Sequence, residues 1–352
     1  MFSNDKNVKV LLISPLPSPT GGIATWTKLF INSDQANKNV VDVVNTAIIG
    51  KRTKSYKKKY LIEECKRTIS IYLETKIKLE NNYDIVHINS SCSTWGMIRD
   101  YMCIKKAKKS KSRGVVHFHC DTSYMVKGKF SSFIFRGICN NVDRIFCLNQ
   151  SSEQHIKRIS NKTGIKIPNF IDLKNIDFTQ NEVSDRIKNI IFVGHIIKSK
   201  GCMDIISIAK KMPNINFKLV GKESEEFQSI PKPQNIQYCG EVSKEEVINQ
   251  MLSADLLLFP TYTEGFPNVI LEAMVSGLPV ISTPVGAIPE IIENKGGKII
   301  EVGNIEGFIK AIEDLQEPTT REKMSAWNKE KVKRTYALDL VMKQIFMEYI
   351  RI

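Results

Sequence analysis

No run of apolar residues in this sequence approaches the 18 or more that would span a bilayer, so a helical membrane protein is not expected. The opening Met-Phe-Ser-Asn-Asp-Lys lacks the basic start and apolar core of a signal peptide, and the chain is expected to fold in the cytoplasm. Its eight cysteines (Cys65, Cys92, Cys103, Cys120, Cys139, Cys147, Cys202, Cys239) form no C-x-x-C pair, which argues against a disulfide framework or a zinc site. Several lie in apolar runs and read as reduced core residues. Neither G-x-G-x-x-G nor G-x-x-x-x-G-K-[ST] occurs, which excludes a standard dehydrogenase or nucleoside triphosphatase. Repeats of solenoid length and low-complexity tracts are also missing.

Acidic residues are scarce in the first half. Residues 1–170 hold 29 Lys and Arg against 12 Asp and Glu, whereas residues 171–352 hold 22 against 25, so the net charge of +14 comes from the first half alone. The excess concentrates in Lys51-Arg-Thr-Lys-Ser-Tyr-Lys-Lys-Lys59 and Lys105-Lys-Ala-Lys-Lys-Ser-Lys-Ser-Arg113, with six positive charges each. Such clusters suit a polyanion, either nucleic acid or the anionic inner leaflet, at roughly 1 kcal/mol per basic residue near the surface; a solvated lysine-rich face is the plainer alternative.

A length of 352 residues fits two domains. Short apolar runs at Val8–Ile13, Val40–Val44, Ile85–Ile88, Val115–Phe118 and Arg144–Leu148 read as strands, with helical stretches at Ile23–Asn32, Tyr60–Leu79 and Thr94–Lys109 between them. A second set of strands begins at Ile190–Val193 and continues through Phe217–Val220, Ile236–Tyr238, Leu256–Phe259, Pro279–Ser282 and Lys298–Ile300. Helices Asp204–Met212, Lys244–Ser253 and Ile305–Leu315 fall among these. Two β/α successions in tandem imply two doubly wound α/β domains, 1–170 and 171–337, with Asp172–Lys188 as the hinge. The last helix, near Leu338–Ile350, could pack on either domain, and a return of residues 338–352 to the first is one arrangement.

The most informative stretch is Asp255-Leu-Leu-Leu-Phe-Pro-Thr-Tyr-Thr-Glu264-Gly-Phe-Pro-Asn-Val-Ile-Leu-Glu272-Ala. Leu256–Phe259 reads as a buried strand, Pro260–Phe266 as a loop, and Pro267–Val275 as a helix with proline in its first turn. Glu264 then sits at a strand's carboxyl end and Glu272 on the helix's second turn, four positions from Asn268 and on its face. Carboxylates suit sugar hydroxyls, and a helix N-terminus suits phosphate. In an open parallel sheet, ligands bind at that end of the strands. The paired carboxylates of a glycoside hydrolase are a rival use for the two glutamates. Gly21-Gly22, between the first strand and first helix, could let a ligand approach backbone closely or could simply make a turn.

Together with Val116-His-Phe-His119, Ile167-Pro-Asn-Phe-Ile-Asp172, Phe192-Val-Gly-His195, Lys200-Gly201 and Gly277-Leu-Pro-Val-Ile through Val285-Gly-Ala-Ile-Pro-Glu290, these motifs resemble the retaining nucleotide-sugar glycosyltransferases of family 4. The resemblance covers nearly the whole chain and is most specific over 236–293. It implies the GT-B architecture, two facing Rossmann-like domains with the active site in the cleft between them. It further implies that Glu272 binds ribose hydroxyls and Glu264 the donor sugar, that Gly265, Phe266, Pro267, Asn268 and Val269 set the helix N-terminus against sugar and phosphate, and that Lys200 with position 195 neutralises the diphosphate. Gly21 and Gly22 would face the donor from the opposite wall, and His119 would lie near the anomeric centre. Base contacts would come from loop backbone around Gly221-Lys222 and Gly240-Glu241-Val242.

Two departures matter. Position 195, usually arginine in the family, is His195, which shifts phosphate neutralisation toward Lys200; Phe170 stands where glycine is usual. No D-x-D triplet occurs, so neither metal nor cofactor is expected. The implied partners are a UDP- or GDP-linked sugar donor and a glycan acceptor, expected to be lipid-linked, at the inner face of the membrane. The implied function is addition of one sugar to a growing surface polysaccharide. An epimerase or phosphorylase of the same architecture is the alternative enzyme. A basic nucleic-acid-binding protein is the non-enzyme alternative; it would leave Glu264, Glu272 and His119 without a task, and nucleic acid is not expected as a partner.

Overall fold

Strands that are apolar on both faces can be stable only between two helical layers, and this chain builds two parallel sheets of that kind. The computed structural model describes residues 7–18, 21–48, 57–174 and 183–352, with backbone alone at 57–60. Pro19, Thr20, the Lys51–Lys59 cluster apart from the helical backbone of its last three residues, and part of the expected hinge lie outside the described residues.

The first sheet comprises β1 (Lys9–Ser14), β2 (Val40–Asn45), β3 (Ile85–Ser90), β4 (Arg113–Phe118), β5 (Arg144–Cys147) and β6 (Ile165–Lys166), in the order β2-β1-β3-β4-β5-β6. The second comprises β7 (Asn189–Val193), β8 (Asn216–Val220), β9 (Ile236–Gly240), β10 (Leu256–Phe259), β11 (Val280–Ser282) and β12 (Gly297–Ile299), in the order β12-β11-β10-β7-β8-β9. The ladders are parallel throughout both sheets. In each sheet the chain winds outward from its first strand, then returns to that strand's other side. The topological switch point therefore falls between β1 and β3 in one sheet and between β7 and β10 in the other, and ligands bind there at the carboxyl ends.

The chain divides into one unit of Met1–Phe170 with Leu338–Ile352 and another of Ile171–Ala337. In the first, helices Lys57–Lys78, Thr94–Lys109, Lys129–Cys139 and Gln150–Ser160 cover one face of the sheet, burying Ile71, Met97, Ile104, Phe135, Ile138 and Ile156. The other face is covered by helix Gly22–Ile31, through Trp26 and Phe30, and by helix Leu338–Ile350, through Leu338, Val341, Met342, Ile345, Phe346 and Tyr349.

Several expected elements have the expected bounds, among them β10, helix Thr94–Lys109 and helix Leu338–Ile350. Two element starts at prolines are corrected. The helix after β10 begins at Asn268, and Pro267 is its extended N-cap (φ −78°, ψ 108°) instead of its first-turn proline. Strand β11 likewise starts at Val280, one residue after the proline that cannot donate to the ladder.

Candidate functional site

Lys200 and Glu264 are 64 residues apart in sequence, yet they flank one switch point because one follows β7 and the other follows β10. After β7 the chain makes a 3-10 turn, Lys198–Lys200, and then Gly201 in the left-handed region (φ +74°) starts helix Cys202–Lys211. Only glycine fits there: a Cβ at 201 would stand 2.0 Å from the Pro260 carbonyl oxygen. The two loops are joined further where Tyr262 N–H donates to the Ser199 carbonyl (3.0 Å) and the Tyr262 hydroxyl donates to Asp204 (3.0 Å). This contact sets the Lys200 ammonium against Glu264 Oε1 as an ion pair, with the side chains 23% and 12% exposed. Thr261 Oγ1 donates to the same carboxylate oxygen at 3.4 Å. Burial pushes the Glu264 carboxyl above its ordinary range, and Lys200 opposes that push.

The Glu264 loop is pinned from its other side as well. Gly286 (φ +57°) sits so close that a Cβ would be 2.4 Å from the Glu264 carbonyl oxygen, and Ala287 N–H donates to the Gly265 carbonyl at 2.9 Å. Phe266 is buried and meets the Tyr336 ring edge-on at 5.8 Å. Helix Asn268–Val275 then starts with no side-chain cap from Pro267 and no acidic residue in its first turn, and its dipole places positive charge at that end. Asn268 and Val269 are half-buried there. Glu272, one turn on from Asn268, pairs with Lys244 at 3.6 Å, and burial raises its carboxyl too. His195 is exposed on the loop after β7. That loop is anchored by Gly221 (φ +139°), where a Cβ would come within 2.0 Å of the Gly194 carbonyl oxygen.

In the first unit, Gly21 caps helix Gly22–Ile31 with an extended backbone (φ 179°). A Cβ at Gly21 or Gly22 would meet nothing within 4 Å, so no protein contact demands glycine at either position. Both line a cavity of about 420 Å³ with Asn89, Ser91, Arg67 and Arg99. The two guanidiniums line it beside a helix N-terminus, each paired with a carboxylate of its own helix. Arg99 donates through Nε and Nη2 to Asp100 Oδ1 (2.9 and 2.7 Å), and Arg67 donates to the Thr46 carbonyl (2.9 Å) and Glu64 (2.6 Å).

His119 lies at the end of β4 and reaches the cavity wall through Asn89, its Nε2 standing 3.0 Å from Asn89 Oδ1. Asn89 Nδ2 donates to Ser14 Oγ (2.9 Å), which is 2.5 Å from Thr27 Oγ1 on the glycine-capped helix. With its amide so oriented, Asn89 accepts from Nε2–H of His119, which leaves Nδ1 unprotonated. Burial, reinforced by His117 and His87, holds the His119 pKa well below the usual histidine value, so the ring is neutral at pH 7. His117 and His87 are fully buried, and burial brings His117 down to about 3.

Thus the second unit brings together Lys200, Glu264 and residues 265–269, with Glu272 a turn further along and His195 exposed above β7, while Gly21, Gly22 and His119 gather in the first unit. Sequence reasoning missed Lys244, Asn89, Arg67 and Arg99. Asn89 alone carried a signal, a polar residue at the carboxyl end of a strand beside the switch point.

Residues 187–317 match the family model described as "Glycosyl transferases group 1". An uncharacterized 41.2 kDa protein in the cps region of Klebsiella pneumoniae is 26% identical over 71% of this chain and 72% of its own length. The capsular polysaccharide biosynthesis glycosyltransferase CapM of Staphylococcus aureus is 23% identical over 53% of this chain, which spans about half (54%) of that relative's length. Among solved structures, Anabaena HepE in complex with UDP superposes with a TM-score of 0.74 over 98% of this chain and 100% of the other, at 14% identity. The fold is GT-B.

Proposed function

We propose that the protein is a retaining glycosyltransferase that moves one sugar from a nucleotide donor to a growing, lipid-linked surface polysaccharide, without a metal ion. The observation that carries this reading is the Lys200–Glu264 pair at the β7/β10 switch point, followed at once by the N-terminus of helix Asn268–Val275. Cleavage of an anomeric carbon–phosphate bond leaves negative charge on the departing nucleoside diphosphate. Fixed positive groups aimed there are a large catalytic lever. In this reading Lys200 and the helix N-terminus take the diphosphate, assisted by His195, and Glu264 turns to the donor sugar's hydroxyls. Glu272 takes the ribose hydroxyls.

In the first unit, Gly21 and Gly22 leave backbone open to a ligand, and neutral His119 can accept a hydrogen bond from a sugar hydroxyl through Nδ1. Retention follows a front-face course: the anomeric carbon–oxygen bond to phosphate breaks as the acceptor oxygen attacks from the same side, and a phosphate oxygen takes the acceptor's proton. UDP is the favoured nucleoside diphosphate, supported by its presence in the HepE complex. A polysaccharide acceptor is supported by what CapM is named for.

Thermal unfolding with UDP, GDP and ADP in the presence of EDTA tests the donor half of this proposal. One nucleotide is expected to raise Tm, since a ligand at a hundred times its Kd adds about 2.7 kcal/mol to the stability of the state that binds it. No shift with any of the three would remove the proposed site. Turnover is expected to persist in EDTA, because Lys200 and the helix end supply the positive charge; loss in EDTA with recovery in manganese would contradict the metal-free mechanism.

A further inference from the structure

The segment Tyr124-Met-Val-Lys-Gly-Lys-Phe-Ser-Ser-Phe-Ile-Phe-Arg136 contains three cations and no anion. Its helix, Lys129–Cys139, spends Ile134, Phe135, Ile138 and Cys139 on the core beneath, in the same cluster as Ile104 and Ile156. The opposite face mixes cations with exposed aromatic rings. Phe130 and Phe133, one turn apart, are 62% and 71% exposed, and Tyr124 and Met125 just before the helix are 51% and 42% exposed. Lys127 lies over the Tyr124 ring at 4.3 Å, and Phe133 shares an open groove with Gly128, Lys129, Ser132 and Arg136.

A solvent face that sets two exposed aromatic rings between Lys129 and Arg136 is unlike an ordinary solvated helix face. Its position adds to this. It follows β4, so its N-terminal end lies at the carboxyl edge of the first sheet, the edge that also holds Gly21, Gly22 and His119. Leu61 and Ile62, 46% and 57% exposed, start another helix of the same layer at that edge. A second copy of this chain is a poor occupant, because a two-fold contact would set the same cations against one another in a unit already carrying a large positive excess.

We propose that this rim, Tyr124, Met125, Phe130 and Phe133 with Lys127, Lys129 and Arg136, seats on an anionic lipid bilayer. The aromatic rings enter the headgroup boundary while the cations meet lipid phosphates around them. This goes beyond the glycosyltransferase reading and does not depend on it. Seating here would hold the sheet edge that bears His119 against the surface where a lipid-linked acceptor is anchored.

The test is co-sedimentation of the full chain at physiological salt with phosphatidylcholine vesicles, either alone or containing about one third phosphatidylglycerol. The protein is expected to sediment with the anionic vesicles only, and the Phe130→Ser/Phe133→Ser variant to lose about fivefold or more in partitioning. Both side chains face solvent, so the variant should keep its Tm and its response to UDP. That response separates the two proposals: a variant that still answers UDP but leaves the vesicles supports the membrane seat whatever the enzyme's substrate. Failure of the parent chain to bind anionic vesicles would overturn the proposal. So would unchanged binding by the variant, which would assign the attraction to basic clusters elsewhere, or a concentration-dependent dimer dissolved by the same substitutions.

Discussion

Lys200→Ala is expected to lower kcat/KM at least tenfold, and by about 10²–10³ if Lys200 behaves as a donor aimed at developing charge. Near-normal turnover by this variant would remove Lys200 from the site. The substitution also leaves Glu264 buried without its cation. Burial already raises that carboxyl, and without Lys200 it should rise further. A carboxyl whose folded pKa exceeds its unfolded value stabilises the fold below the unfolded pKa, and that contribution is lost as pH rises through the folded pKa. The variant should therefore be destabilised most near neutral pH. Its Tm deficit against the parent should shrink as the pH falls into the carboxyl range of about 4–5. Adding Glu264→Gln should recover stability at neutral pH without recovering turnover, because the buried charge is gone but the diphosphate still lacks its lysine.

Gly201→Ala is expected to be a strongly destabilising single-methyl change at the site. The residue is held at φ +74°, and its Cβ would lie 2.0 Å from a backbone oxygen at Pro260, which cannot move without carrying the Glu264 loop along. Left-handed strain and overpacking together imply a cost of about 3–5 kcal/mol. In a unit of this size that corresponds to a Tm loss on the order of 10 °C, with a blunted response to UDP. Gly22→Ala is the informative contrast, since a methyl there meets nothing within 4 Å. Its Tm should stay within a degree or two of the parent's, for about 0.5 kcal/mol or less of change, while turnover falls as the methyl intrudes on the donor. A normal Tm with normal turnover would return the glycine pair to a simple turn.

How far the sequence discloses this molecule depends on where burial and hydrophobicity coincide. Leu256–Phe259 is buried throughout and wholly apolar, and its bounds are legible to the residue. Helix Pro318–Lys331 was not legible. Its buried positions include Arg321, Ser325 and Asn328, and Arg321 and Asn328 donate to backbone carbonyls at Leu315, Ser184, Leu278 and Gly296. Polar residues that replace apolar packing with hydrogen bonds leave no apolar period to read. Helix Gln150–Ser160 escaped for a related reason, since two of its buried residues are Ser152 and His155. The site shows the same division. Glu264 and Glu272 stand out through local spacing, but the carboxylate pairings with Lys200 and Lys244 join segments that follow different strands, and only the resemblance pointed to Lys200. Arg67 and Arg99 reach their cavity from two different helices, which no local pattern announces.

The helix Leu338–Ile350 returns across the whole second unit to complete the first unit's core. During synthesis this imposes an order. When residue 170 leaves the ribosome, Phe30 still lacks Phe346, the ring it stacks on, and at about 5–20 residues per second some 10–30 s pass before that partner is made. The second unit, continuous in sequence, can close in that interval. The first therefore finishes last although it begins first, and until then its uncovered apolar face is a natural station for a chaperone.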